Sequence, residues 1–130
     1  MPAPSALQRG DTVPHWQLTT VDGRSVSYVS VWQRLNLVLV ALPARVEATS
    51  YVSALGACCT EFDTRHTACI ITGDEVPGLP GPGVLVADKW GEIVQVWVGS
   101  TVDDLPSPRE LLDWIEFIEQ RCPECEGEAK

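Results

Sequence analysis

The chain has 130 residues and a net charge of −9, with 45% apolar and 21% charged side chains; this is globular composition, long enough for one domain with a real core and short for two. The acidity excludes nucleic acid and anionic membranes as natural partners, since phosphate must meet a basic surface, and no apolar run approaches the roughly 20 residues that a bilayer needs. The opening MPAPSALQRGD lacks the charged-then-apolar order of a signal peptide. Five cysteines at irregular spacing are no secreted disulfide framework, so the expected setting is cytoplasmic.

Residues 1–14 are Pro-rich and extended. Trp16, Leu18 and Thr20 then alternate with polar Gln17 and Thr19, the period of a half-buried strand. Asp22-Gly23 supplies a turn and Val26, Tyr28 and Val29 the returning strand, which makes an N-terminal β-hairpin. After a connector at Ser30–Arg34, the run Leu35–Leu42 is apolar except for Asn36 and reads as a strand buried on both faces. Pro43 ends it, because proline gives no N–H to a central ladder. Ala48, Val52, Leu55, Cys59 and Phe62 follow at three-then-four spacing, which predicts one helix running to Asp63-Thr64.

Ala68–Thr72 is a second buried strand, and the Gly/Pro-rich GDEVPGLPGPG over Gly73–Gly83 a tight loop. Val84–Ala87 and Ile93–Val98, joined by Asp88-Lys89-Trp90-Gly91, must be antiparallel neighbours. In the second of them, alternation places Val94, Val96 and Val98 on one face and Ile93 and Trp97 on the other. Ser107-Pro108-Arg109-Glu110 fits a capping box with proline at the first helical position. The helix it opens carries an apolar stripe of Leu111, Leu112, Ile115 and Ile118, widened by Trp114 and Phe117. It should stop near Cys122, ahead of Pro123.

Two buried strands joined by a helix should be parallel with a right-handed crossover. The order therefore predicts an α/β, thioredoxin-like fold: a central mixed sheet of four to five strands, an N-terminal β-hairpin and flanking helices. The domain spans residues 1–121, followed by an acidic tail, 122–130, with a Cys-Pro-Glu-Cys motif.

Three phrases carry a family resemblance over residues 7–121: LQRGDTVPHWQLTTVDGRSV, LNLVLVALP and VLVADKWGEIVQVW. In this order they resemble the peroxiredoxin-like (redoxin, alkyl hydroperoxide reductase/thiol-specific antioxidant) branch of the thioredoxin superfamily. That resemblance implies a peroxidatic centre of Pro, three residues, Thr, two residues, Cys. Anchored on Pro43, the pattern meets Glu47 in place of threonine and Ser50 in place of cysteine. The arginine implied beside the thiolate falls near Pro82, which also matches the superfamily's cis-proline position. Read as a Cys-x-x-Cys site instead, the junction offers Arg45 and Ala48. Either way the usual redox centre is empty, since a serine hydroxyl cannot replace a thiolate against peroxide.

Cys59 on the helix stripe and Cys69 in a buried strand read as small core hydrophobes, and a Cys58–Cys59 disulfide would be strained within a helix. Cys122-Pro123-Glu124-Cys125 is the one motif with redox or metal spacing. At a helix C-terminus among Glu119, Glu124, Glu126 and Glu128 its thiols are disfavoured as thiolates, so a fast nucleophile is not expected. Three readings stay open for it: a slow redox dithiol, half of a zinc site completed by His66, Cys58 or a second subunit, and a solvated tail with two incidental thiols. His15 and His66 read as surface residues, and Trp90 as the tryptophan most exposed for a partner.

The leading expectation is a redoxin-fold protein without the usual centre, with a subsidiary thiol–disulfide role for Cys122 and Cys125 and no cofactor. Its rivals are a non-catalytic module that binds a protein partner or a second copy of itself, and a small zinc-binding dimer.

Overall fold

The computed structural model describes residues 7–43 and 47–120. The Cys122/Cys125 motif, the acidic tail and Arg45 lie outside the described residues.

The N-terminal hairpin pairs β1 (Gln17–Thr19) with β2 (Ser25–Ser27), Leu18 opposite Val26. Its turn needs Gly23, whose φ of 91° suits a residue without Cβ. The Thr20 hydroxyl donates to the Asp22 carboxylate and accepts the Arg24 N–H at 2.9 Å. The returning strand is shorter than alternation predicts, because Tyr28–Ser30 forms a 3-10 turn. Val31 and Trp32 both donate backbone N–H groups to the Tyr28 carbonyl at 2.9 Å, and Ser30 Oγ donates to the Ser27 carbonyl at 2.7 Å. Those bonds outcompete extension and leave Val29 at the surface.

Tyr28 is buried, yet its hydroxyl has no hydrogen-bond partner. Burial, aided by the Asp88 charge, pushes its pKa up to about 12. A buried polar atom without a partner carries a desolvation cost of about 1–3 kcal/mol. Tyr28→Phe is therefore expected to leave stability unchanged or to raise it by about 1 kcal/mol, read from the urea midpoint; a clear loss would mean that the hydroxyl is satisfied in solution.

The main sheet has the order β4-β3-β5-β6, formed by β3 (Asn36–Ala41), β4 (Thr67–Thr72), β5 (Gly83–Ala87) and β6 (Ile93–Val98). β4 runs parallel to β3, while β5 is antiparallel to β3 and β6 to β5. Every residue of β3 is buried, as an apolar run between two covered faces requires. The hairpin side packs Leu37, Leu39, Leu85 and Ile93 against Trp16, Leu18, Tyr28, Val31 and Leu79. The other side packs Val38, Val40, Val84 and Val86 against helical residues. Among the described residues all three helices share that second face.

Alternation along β6 is broken. Ala87 pairs with Ile93 but Val86 pairs with Gln95, so Val94 is an extra residue in a β-bulge. Ile93 and Val96 consequently face the hairpin side, and Val94 and Trp97 the helix side, not the grouping that strict period two predicts.

The helix predicted up to Thr64 is two helices, α1 (Thr49–Ala57) and α2 (Cys59–Thr64), divided at Cys58. There the backbone leaves helical geometry (φ −99°, ψ 7°), and the Cys58 N–H bonds the Leu55 carbonyl at 3.0 Å. Leu55, Cys58 and Phe62 therefore turn inward, and Cys59, expected in the core, is exposed. α3 (Pro108–Gln120) starts as predicted, with Ser107 Oγ accepting the Glu110 N–H at 3.1 Å. Its buried stripe is Leu111, Leu112, Ile115 and Ile118, whereas Trp114 is half-buried and Phe117 exposed. Its far end is tied to the sheet by Asn36, whose buried side-chain amide donates to Glu119 Oε2 at 2.9 Å and to the Arg65 carbonyl at 3.3 Å. The single polar residue of the apolar strand thus anchors the last helix.

Candidate functional site

The end of β3 and the loop before β5 meet where this topology brings a strand–helix junction against a proline loop. The Gly81-Pro82 peptide is cis. A Cβ on Gly81 would lie 2.5 Å from Pro43 Cδ and 3.1 Å from the Ala41 carbonyl, so only glycine fits that approach. Buried Pro82 accepts the Gly99 N–H at 3.0 Å, which fixes the loop to the chain beyond β6. Pro43 and the stretch 73–81 line an open cleft of about 420 Å³ whose floor includes buried Val76 and Leu79. Of the candidate residues, Pro43 lines the cleft and meets Gly81, the residue before Pro82, while Pro82 itself does not line it. Glu47 and Ser50 do not line this cleft.

Glu47 lies two residues ahead of α1, and its Oε1 accepts the Thr49 N–H at 2.7 Å. That bond holds the exposed carboxyl below the usual carboxylate range. A free N–H at a helix start is what would stabilise a thiolate; here a carboxylate already takes it. Ser50 is exposed in the first turn of α1, so a thiolate at that position would form beside an existing negative charge.

Sequence reasoning missed Asp74. Its Oδ2 accepts the Thr19 N–H at 2.9 Å, while Thr72 Oγ1 donates to the Thr19 carbonyl at 2.7 Å and accepts the Asp74 N–H at 3.0 Å. This knot joins the hairpin to the rim of the cleft. A threonine closing a strand two residues before an aspartate is its local signal.

The remaining candidates lie elsewhere. His15 stacks edge-on against Trp32 and Tyr28, with ring centroids 4.9 and 5.9 Å apart. His66, at a φ of 54°, sets Nδ1 3.3 Å from Glu119 Oε1. Cys58, Cys59 and Cys69 are free thiols, and burial pushes Cys69 up to about 12. Trp90 is exposed as expected, with Lys89 Nζ 5.3 Å from its ring centre. Among the described residues no group of three or more His, Cys, Asp or Glu could hold a metal ion, and no helix is long and apolar enough to cross a membrane.

The N-terminal hairpin, the four-stranded mixed sheet and its flanking helices define the class: this is a thioredoxin-like α/β fold. Solved structures with the same fold include peroxiredoxins and other thioredoxin-like proteins. The mitochondrial 2-Cys peroxiredoxin from Plasmodium falciparum superposes with a TM-score of 0.64 at 13% identity, over 85% of this chain and 93% of that one. Thioredoxin peroxidase I from Plasmodium yoelii gives 0.65 at 14%, over 88% and 96%. A thioredoxin-like protein from Bacteroides vulgatus gives 0.53 at 8%, over 92% and 98%. No protein-family model and no curated protein matches the sequence. At these identities the likeness is one of fold.

Proposed function

We propose that this chain is a redoxin-fold protein that does not run peroxidase chemistry at the strand–helix junction and whose thiol–disulfide role is subsidiary, carried by Cys122 and Cys125. The observation behind the first half is the Glu47 carboxylate on the Thr49 N–H, with serine at position 50. Peroxide reduction needs a soft anion held by donors and cations, and this junction supplies a hydroxyl beside an anion. The second half rests on the Cys-Pro-Glu-Cys spacing after α3, in the reducing cytoplasmic setting that its composition suggests. It is tested by the reduction potential of Cys122/Cys125 and by insulin reduction. A pair oxidised by mildly oxidising glutathione, with turnover lost in Cys122→Ser, supports the role; a pair that stays reduced without turnover removes it. Zinc far below stoichiometric in protein purified without added metal removes the rival of a zinc-binding dimer.

Ser50→Cys tests the first half. With Glu47 taking the Thr49 N–H and proline where an arginine is implied, the new thiol should react with hydrogen peroxide no faster than an ordinary exposed cysteine. A fast reaction would mean that only the sulfur had been lost.

A non-catalytic binding module is the second reading, favoured by the aromatic row beside β6. Trp97 meets Trp114 edge-on at 6.3 Å and Trp114 meets Phe117 at 5.8 Å, with Phe117 45% and Val98 50% exposed. Exposed apolar surface next to a sheet edge suits a protein partner or a second copy of this chain. Light scattering on wild type and Phe117→Glu tests the self-association arm.

A further inference from the structure

The three thiols in the middle of the chain are unused by that reading, and two of them share a cavity. Cys59, the first residue of α2, is exposed; Cys69, on β4 at the outer edge of the sheet, is half-buried. Together with Val52, Gly56, Arg24 and Ile71 they line a cleft of about 620 Å³ between β4, the α1–α2 break and the hairpin turn. They are also electrostatic neighbours: after burial, Cys59 is the largest influence on the Cys69 thiol, followed by Cys58. Cys59 is exposed at this cleft, so a small disulfide reaches it from solvent.

We propose that Cys59 and Cys69 are a second thiol–disulfide pair, oxidised through the cleft by a small disulfide such as glutathione disulfide. The Cys59 thiolate attacks one sulfur of that disulfide; its S–S bond breaks, and one glutathione thiolate leaves and takes a proton from water. The product is a mixed disulfide on Cys59. Cys69 then gives its proton to solvent and attacks Cys59 Sγ, expelling the second glutathione thiolate. Two protein thiols are oxidised by two electrons and one glutathione disulfide becomes two glutathione molecules, so the exchange balances. Because the Cys69 thiol is hard to ionise, the second step is the slow one, and the mixed disulfide accumulates first. This proposal is independent of the role given to Cys122 and Cys125.

The experiment uses the full chain carrying Cys122→Ser and Cys125→Ser, incubated with glutathione disulfide, quenched with N-ethylmaleimide and cleaved with trypsin. Arg45, Arg65 and Lys89 separate the peptide holding Cys58 and Cys59 from the one holding Cys69. The expected product is a disulfide between these two peptides, kept in Cys58→Ser and absent from Cys59→Ser. In Cys69→Ala, a small apolar replacement that spares the core, the glutathione adduct on Cys59 should persist. Closure should quicken about tenfold per pH unit from neutrality, since the attacking species is the thiolate. No linked peptide, a stable glutathione adduct on the parent chain, or a link that survives Cys59→Ser would each overturn the proposal.

Discussion

Phe62→Ala is expected to cost about 3–5 kcal/mol of unfolding free energy, a large share of the roughly 5–15 kcal/mol that a small domain has. Phe62 is 1% exposed and is the one buried residue of the six-residue α2. So short a helix has little stability of its own; this ring holds it to the sheet, in the core containing Leu55, Leu112 and Ile115. Truncation removes the burial energy and leaves a cavity that the sheet cannot collapse to fill. Phe117→Ala, on an exposed ring against Trp114, should cost about 1 kcal/mol. Urea denaturation checks both, and equal losses would refute the division between core and surface.

What the sequence makes legible follows from periodicity. β3 is legible because the eight-residue run Leu35–Leu42, apolar except for Asn36, can only be covered on both faces. α3 is legible because its cap, first-turn proline and stripe agree. The helix break at Cys58 is not, since stripes through 55, 58 and 62 or through 55, 59 and 62 fit helical spacing equally well; packing chooses the first and turns Cys59 to solvent. The bulge at Val94 is hidden for a similar reason, as every residue from Ile93 to Val98 except Gln95 is apolar and either register reads as buried.

The candidate site divides along the same line. Glu47 and Ser50 stand out against a one-dimensional pattern, so their departure from it is visible without coordinates. The contact of Gly81 with Pro43 and the knot of Thr19, Thr72 and Asp74 join segments far apart in the chain, which only the fold brings together. These contacts tie the hairpin and the end of β3 to the rim of the cleft, beside a junction that carries Glu47 and Ser50. The residues that shape the cleft are therefore different from the two that the one-dimensional pattern singles out.

Alkaline pH should destabilise the protein progressively between pH 9 and 12. Burial raises Cys69 from an ordinary 9.0 to about 12 and Tyr28 from 10.0 to about 12, and Tyr51, whose hydroxyl donates to the Pro106 carbonyl, is also shifted upward by burial. In each case the unfolded chain loses its proton first, so above pH 9 the native state binds more protons and unfolding becomes easier as pH rises. The stabilisation is complete below pH 9 and disappears as pH passes through the folded values. Each such group contributes a slope of up to about 1.4 kcal/mol per pH unit within its window. The onset separates them, because between pH 9 and 10 only Cys69 among these three is on its slope, with the two tyrosines joining above 10. Cys69→Ala should therefore flatten the stability profile from pH 9 to 10 and leave a decline above it, whereas Tyr28→Phe should change the profile only above 10. Urea midpoints measured across this range decide it: an unchanged slope from pH 9 to 10 in Cys69→Ala would show that the Cys69 thiol is not held protonated by its surroundings.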